Sequence, residues 1–297
     1  MPASHLLLAL AVILVWGSNF VVIKLGLAEL PPFLFATLRF AVSAFPFLLF
    51  IKRPAVPLRK LAAFGVLLGA GQFGLLFYAM RSDISPGLAS LVIQMQVFFT
   101  IGLSMAMHRE RLMPAQALAL ALAVLGMLVI ASHVQAAVVT AFGLALILAA
   151  AAAWAGANLV AKSVGRVNML GFMVWSSVFA VPPLLALSVA LEGPQLIAAS
   201  LRSADVVGWS AVAWQAVGNT LFGYGAWNWL LARHPAATVT PMALLVPVVG
   251  FASAALWLSE SMPLWKLLAA SLVMAGLALN VWASRAAVRA SVSRAST

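Results

Sequence analysis

Apolar runs of about 20 residues follow one another along almost the whole chain and leave only short connectors between them. A helix needs roughly 20 residues to cross the hydrocarbon core of a bilayer. Ten segments come close to that length, at 6–26, 33–51, 61–80, 87–107, 115–132, 139–161, 169–191, 208–231, 236–257 and 264–284. The pattern therefore predicts an all-α polytopic membrane protein with ten transmembrane helices.

The composition is that of a chain surrounded mostly by lipid. Hydrophobic residues make up 65% of the 297 residues, charged residues make up 8%, and the mean hydropathy is +1.10. A water-soluble domain would have to expose much of that apolar surface to water. Cysteine is absent, which excludes disulfides and thiolate metal sites. For the same reason, the redox compartment cannot be inferred from cysteine usage.

The net charge of +11 comes mainly from lysines and arginines in the connectors, where such residues govern orientation in a membrane. With the N-terminus in the cytoplasm, the outer loops contain Arg81 and Arg202, while Lys24 and Lys266 lie at span ends. The cytoplasmic connectors and tail then contain Lys52, Arg53, Arg59, Lys60, Arg109, Arg111, Lys162, Arg166, Arg233, Arg285, Arg289 and Arg294. This asymmetry predicts that both termini are cytoplasmic, and it accounts for the basic charge without a nucleic-acid partner.

The two halves of the chain resemble each other. WGSNFVVIK at 16–24 is similar to WAGANLVAK at 154–162, and Glu110 and Gly126 in the first half correspond to Glu260 and Gly276 in the second. The predicted organisation is a first repeat at 1–135, a second repeat at 136–284, and a basic cytoplasmic tail at 285–297. Because each repeat has five spans, the second must enter the membrane from the opposite face. Inverted repeats of this kind are typical of carriers that work by alternating access.

Polar side chains inside apolar spans are candidate site residues, because each needs a partner or a water-filled cavity. Trp16 and Asn19 share one helical face, and Trp154 and Asn158 share another, so each half offers a Trp–Asn pair. Such an Asn could also simply join helices. Gln94 and Gln96 are two residues apart and point to different faces, and Gln94 is favoured. The predicted substrate-binding residues are Trp16, Asn19, Gln94, Trp154, Asn158, Asn219, Tyr224 and Trp227.

Five further residues are predicted to gate the site or anchor a charge. Arg39 is the one charge well inside a span, which costs at least ~2.5 kcal/mol, so it should face the protein interior, where it could hold a carboxylate or cap helix ends. Lys24 could instead reach out to the interface. Tyr78 could be an aromatic belt residue. Pro241 and Pro247 each remove a backbone donor, which predicts a kinked or opened ninth span.

The spans also lack certain groups. All six acidic residues and all four histidines fall in loops or at helix ends. No carboxylate at mid-membrane can exchange a proton for a cationic drug. No phosphate-binding loop, zinc motif or nucleophile–base arrangement is present. The sequence therefore predicts no cofactor, no metal site and no catalytic residue, and the protein is expected not to be an enzyme.

Several segments, in this order and at these spacings, resemble the EamA family of the drug/metabolite transporter superfamily, in particular its bacterial amino-acid exporters. They are VWGSNFVVIKLGL at 15–27, LPPFLFATLRF at 30–40, SPGLASLV at 85–92, RERL at 109–112 and LLVPVVGFASAALWLSE at 244–260. The resemblance covers nearly the whole chain. It implies ten helices in a bacterial inner membrane and a central cavity lined by the first four helices of each repeat, with the fifth and tenth spans packed outside it.

The expected function is export of amino acids and related metabolites by alternating access. The protein is expected to act as a monomer in the lipid bilayer, and its expected partners are small-molecule substrates. One alternative is a nucleotide-sugar, lipid-linked or drug translocator of the same superfamily, although phosphorylated substrates would need several inward-facing cations. Another is a membrane-embedded enzyme, which should cluster histidines or acids at one interface. An ion channel is a third alternative. Energy coupling and the direction of transport stay open.

Overall fold

The computed structural model describes residues 1–108, 113–133, 139–165, 167–234 and 239–295, and its regular structure there is helical. The helices are α1 (Ala3–Glu29), α2 (Pro32–Leu48), α3 (Leu58–Ser82), α4 (Pro86–Ala106), α5 (Pro114–Ala131), α6 (Ala141–Ser163), α7 (Met169–Glu192), α8 (Pro194–Ser203), α9 (Val206–Ala213, Trp214–Gly223 and Tyr224–Arg233 in succession), α10 (Leu245–Leu258) and α11 (Leu264–Ala295). Nine of the ten predicted segments each coincide largely with one of them. The exception is 236–257, where α10 covers 245–257 and residues 236–238 lie outside the described residues.

Seven of these helices are long and apolar enough to cross a membrane. An eighth candidate is the pair formed by α8 and Val206–Trp227 of α9, which meet at an angle of 102°. Helices α2 and α10 are apolar but shorter than a typical span. Helix α8 was not predicted, because its ten residues contain no long apolar run. The described residues therefore form a polytopic membrane protein with seven or eight candidate spans.

Several helices change their winding near the middle. Leu67–Gly74 in α3 and Trp214–Gly223 in α9 are π-helical, and Ile93–Met95 in α4 is a 3₁₀ turn. A 3₁₀ segment, Thr240–Leu244, precedes α10 and contains Pro241, whose side chain lies outside the described residues. Pro247 is the third residue of α10, which follows this 3₁₀ segment directly. The irregular winding thus comes before Pro247 rather than at it.

Glycines let the helices of the two halves approach closely. A Cβ atom added at Gly17 of α1 would overlap the side chain of Val249 in α10, and one at Gly250 would lie 2.5 Å from Ser90 Oγ of α4. Helices α5 and α11 pack against each other in the same way, since a Cβ at Gly126 would lie 2.6 Å from Val273 Cγ2. Small residues at helix crossings are a common packing device in membranes.

Gly65→Ala is expected to destabilise the protein by about 1–3 kcal/mol, because overpacking forces helices apart. A Cβ at this position of α3 would overlap the carbonyl oxygen of Ser176 in α7, which is backbone and cannot rotate away. Gly102→Ala in α4 is the matched control, since nothing lies within 4 Å of its Cβ position. Thermal unfolding in detergent measures both. Equal unfolding temperatures for the two variants would contradict the close crossing of α3 and α7.

At one end of the helix bundle, acidic side chains form hydrogen bonds that link the two halves. Glu192 at the end of α7 accepts hydrogen bonds from the backbone N–H groups of Phe33, at 2.6 Å, and Leu34, at 3.0 Å, at the start of α2. Glu260 accepts one from the N–H of Gly87, at 3.1 Å, at the start of α4. Carboxylates are favoured at helix N-termini, where N–H groups lack helical partners.

Candidate functional site

A cavity of about 690 Å³ lies between α1, α3, α4, α6, α7, α9, α10 and α11. It extends toward the end of the bundle opposite the acidic caps, since Ala161 near the end of α6 and Met169 at the start of α7 line it. None of the described side chains in its wall carries a formal charge. Its polar wall residues include seven amides, which are Asn19, Gln72, Gln94, Gln96, Asn158, Asn219 and Asn280. Such a wall suits a ligand with no net charge.

All eight predicted substrate-binding residues lie in this cavity wall. They come from four helices far apart in sequence, namely α1, α4, α6 and α9, and they are Trp16, Asn19, Gln94, Trp154, Asn158, Asn219, Tyr224 and Trp227. Contact with a substrate stays a prediction for each of them.

Other wall residues were missed. Gln96 lines the cavity together with Gln94, although the two were predicted to face different ways. In an α-helix they would be about 200° apart, but the 3₁₀ turn at Ile93–Met95 has three residues per turn and changes that angle. Gln72 was also missed, and its buried Oε1 has no hydrogen-bond partner within the described part of the chain. Both glutamines lie in or next to a segment of altered helical winding. Their polarity within an apolar span was the sequence signal that could have identified them.

The tenth predicted span does not pack outside the cavity. Leu277 and Asn280 of α11 lie in the wall, which corrects the expectation that the fifth and tenth spans are excluded from it. Helix α11 packs along α5 on one side, and on the other it contacts the 3₁₀ segment Thr240–Leu244 and reaches the cavity. No side chain of α2 is among the wall residues of the described chain, so α2 acts from behind the wall.

The main contribution of α2 is Arg39, which is fully buried behind the wall. Its Nη1 donates to Gln215 Oε1 at 2.8 Å, and its Nη2 donates to Thr220 Oγ1 at 3.1 Å. The guanidinium carbon lies 3.5 Å from the centre of the Phe73 ring, a cation–π contact. Arg39 therefore meets the protein interior as predicted, but it does not line the cavity itself.

Gln215 and Thr220 reach Arg39 together because of the π-helical winding of Trp214–Gly223. Five α-helical steps of about 100° each would turn Thr220 well away from Gln215, whereas a π-helix bonds residue i to i+5 and keeps the two on one side. The Thr220 hydroxyl donates to the backbone oxygen of Gln215 at 2.8 Å, which fits this winding.

Gln215 connects Arg39 to two wall residues. Its Nε2 donates to Asn19 Oδ1 at 2.7 Å, and its Oε1 accepts from Asn219 Nδ2 at 3.3 Å. Gln215 itself is fully buried, and the sequence pattern did not single it out. Its spacing of four residues from Asn219 was the signal that could have identified it.

On the wall formed by α4 and α6, Asn158 Nδ2 donates to Gln96 Oε1 at 2.7 Å and to Thr100 Oγ1 at 3.4 Å. The Thr100 hydroxyl donates its proton to the backbone oxygen of Gln96, so its oxygen faces Asn158 as an acceptor. The amide nitrogen of Asn158 therefore faces α4, and its oxygen is available to the cavity.

Aromatic rings form another part of the wall. The ring of Trp16 lies 5.3 Å from that of Tyr224 and 5.3 Å from that of Trp227, measured between centroids. Trp16 Nε1 donates to the backbone oxygen of Asn219 at 3.3 Å, which fixes the indole against α9. Rings arranged this way offer both apolar surface and π-faces to a ligand.

Two predicted gate or anchor residues lie away from the cavity. Lys24 donates to the backbone oxygens of Met80, at 3.2 Å, and Arg81, at 3.0 Å, and thereby caps the end of α3. Tyr78 stacks on Phe33 with 5.5 Å between ring centroids. Neither residue is in the wall. Capping the end of α3 was not predicted for Lys24, and it fits the general preference for cations at helix C-termini.

Comparisons with known proteins identify the family of this chain. Residues 3–132 and 141–282 match the EamA-like transporter family. A protein of Salmonella typhimurium named "Probable amino-acid metabolite efflux pump" is 42% identical over 96% of this chain and 97% of its own length. A protein of Escherichia coli K12 with the same name is 41% identical over 94% of this chain and 95% of its own length.

More distant relatives carry less specific names. A protein of Escherichia coli K12 named "Uncharacterized inner membrane transporter YedA" is 26% identical over 80% of this chain and 78% of its own length. One solved crystal structure superimposes with a TM-score of 0.63 at 19% identity and covers 96% of this chain and 99% of its own. At that identity the likeness concerns the fold alone.

Proposed function

The chain belongs to the EamA-like transporter family and is a transporter rather than an enzyme, and from that premise we propose that it exports net-neutral amino acids and related metabolites across the bacterial inner membrane. The observation that carries the substrate class is the uncharged, amide-rich and aromatic cavity. Its volume of about 690 Å³ is within the usual range for sites that bind small molecules. Relatives over 40% identical are named as amino-acid metabolite pumps, which supports the same class.

The wall chemistry argues against the rival substrates. Phosphorylated ligands such as nucleotide sugars need several cations, and the described wall residues include none. A cationic drug would be expected to meet a carboxylate, and the described wall has none either. A zwitterion has no net charge, and amides can pair with both of its ends while aromatic rings accommodate an apolar side chain.

We propose ten transmembrane spans in two inverted repeats, at 1–135 and 136–284, followed by a cytoplasmic tail at 285–297. The seven long helices, the bent α8–α9 pair and the two shorter apolar helices together supply ten segments, which supports this count. With cytoplasmic termini, as the charge asymmetry favours, the acidic caps lie outside and the cavity opens inward. This arrangement would be the inward-facing state of an alternating-access cycle by a monomer.

Transport should be measured in proteoliposomes that contain only this protein, with labelled leucine and imposed proton or sodium gradients. We expect saturable uptake that neutral amino acids compete for and that lysine, glutamate and nucleotide sugars do not. The gradients identify the energy source. Absence of uptake for every amino acid in a folded preparation, or preference for charged ones, would contradict the proposed function.

Asn158→Ala is expected to raise the KM for leucine about tenfold, because a hydrogen bond to a charged group contributes about 1.5–3 kcal/mol. The variant removes the amide oxygen that Asn158 offers to the cavity, where it can accept from an ammonium. Gln195→Ala is the control, since it removes an exposed amide on α8. An unchanged KM in the Asn158 variant would remove this residue from the binding site.

A further inference from the structure

We propose that Gln215, which lies behind the cavity wall, sets the direction of two wall amides, so that Asn19 presents an N–H donor to a substrate carboxylate and Asn219 presents an oxygen acceptor to a substrate ammonium. The inference rests on the proposed function, because it specifies how the same cavity recognises an α-amino acid. Gln215 is a positioning residue here, since it does not itself line the cavity.

Arg39 determines which way the side-chain amide of Gln215 faces. A guanidinium has only donors, so the atom of Gln215 that lies 2.8 Å from Arg39 Nη1 must be the amide oxygen. Arg39 is itself held in place by Thr220 and by the Phe73 ring. The amide of Gln215 therefore cannot turn over without placing its NH₂ group against a buried positive charge, which would leave both groups unpaired.

Asn19 takes its direction from Gln215. The NH₂ group of Gln215 points at Asn19 with 2.7 Å between heavy atoms, so the Asn19 atom that meets it must be the oxygen. Asn19 lies in the cavity wall, and this oxygen is the only one of its side-chain polar atoms used in a hydrogen bond among the described residues. Its NH₂ group is thus left to the cavity as a donor.

Asn219 is turned the opposite way. It meets the oxygen of Gln215 at 3.3 Å, so it must offer its own NH₂ group there. Within the described part of the chain its side-chain oxygen enters no hydrogen bond, because the bond from Trp16 goes to the Asn219 backbone oxygen. The oxygen of Asn219 is therefore available to the cavity as an acceptor.

The two asparagines are neighbours, since both are bonded to the same amide group of Gln215. A donor and an acceptor side by side match the head of an α-amino acid, whose carboxylate and ammonium are attached to one carbon. Charge-assisted hydrogen bonds of this type are stronger than neutral ones. The side chain of the substrate, which differs between amino acids, would then contact the aromatic and aliphatic residues of the wall.

The test compares the same small change at the two asparagines. Asn19→Asp removes the donor from the cavity and keeps the oxygen that meets Gln215, whereas Asn219→Asp keeps an acceptor oxygen in the cavity and loses the N–H that meets Gln215. Both variants add one negative charge, at neighbouring places in the wall. Binding of leucine and of leucinol, which lacks the carboxylate, is measured by calorimetry on the purified full-length protein. The wild-type protein should prefer leucine. We expect this preference to fall at least about tenfold further in Asn19→Asp than in Asn219→Asp.

Gln215→Glu is the second route to the same result. The substituted carboxylate still accepts from Arg39 but has no N–H for Asn19. Asn19 should therefore turn its NH₂ group toward position 215 and away from the cavity, and the preference for leucine over leucinol should fall as it does in Asn19→Asp. Equal losses in the two aspartate variants, or a larger loss in Asn219→Asp, would overturn the inference and leave the proposed function intact. If the folded wild-type protein binds neither compound, the proposed function fails and the inference fails with it.

Discussion

Replacing Glu260 by glutamine is expected to lower the free energy of unfolding by about 3–5 kcal/mol, the usual result of leaving one partner of a buried ion pair alone. Lys266 is fully buried, and its Nζ lies 2.8 Å from Glu260 Oε1. The carboxylate also accepts from Ser85 and from the backbone of Gly87, so it fastens the start of α4 to the loop before α11. Glutamine keeps an amide oxygen that can accept from Lys266, but the buried ammonium then has no negative charge to compensate it; its other hydrogen-bond acceptor is the backbone oxygen of Ser261, at 3.0 Å.

A double-mutant cycle separates the charge effect from the loss of helix capping. Lys266→Met should also destabilise the protein, while the double variant Glu260→Gln with Lys266→Met should recover most of the loss, because no unpaired charge then remains buried. Unfolding temperatures in detergent report all four proteins. Strictly additive losses would show that the two side chains act independently and would contradict the buried pair.

Arg39→Lys is expected to reduce leucine transport at low substrate concentration by at least about tenfold, even though a positive charge is kept. Lysine is a compact point charge and cannot reproduce the planar fork that bonds Gln215 and Thr220 while lying over Phe73. One lost hydrogen bond from a charged group accounts for about 1.5–3 kcal/mol, or tenfold and more in affinity. The loss should appear in KM more than in the maximal rate, because the direction of the wall amides is disturbed.

Arg59→Lys serves as the control. It is the same chemical change, but Arg59 is exposed at the start of α3 and does not belong to a buried network. Initial uptake rates over a range of leucine concentrations distinguish the variants. If Arg39→Lys behaves like Arg59→Lys, the guanidinium geometry is irrelevant to the cavity and the network behind the wall has no role in binding.

The prediction from sequence succeeded where a side chain's surroundings follow from its place in a single helix. Asn19 and Asn158 were assigned to a cavity wall because each shares a helical face with a tryptophan, and both lie in the wall. Lys24 shows the limit of that reasoning. A lysine near a span end can serve a substrate, an interface or a helix cap, and only the position of the end of α3 shows that it caps Met80 and Arg81.

The sequence by itself determined the membrane class and most of the helical segments, because hydropathy and the helical period are local properties of the chain. Only the tertiary structure decided that Gln215 joins Arg39 to Asn19, since these partners are separated by 176 and 196 positions. It also decided that α11 reaches the cavity and that 3₁₀ winding brings Gln96 into the wall. Packing between distant helices overrides the regular period there, and a single sequence carries no record of which helices meet.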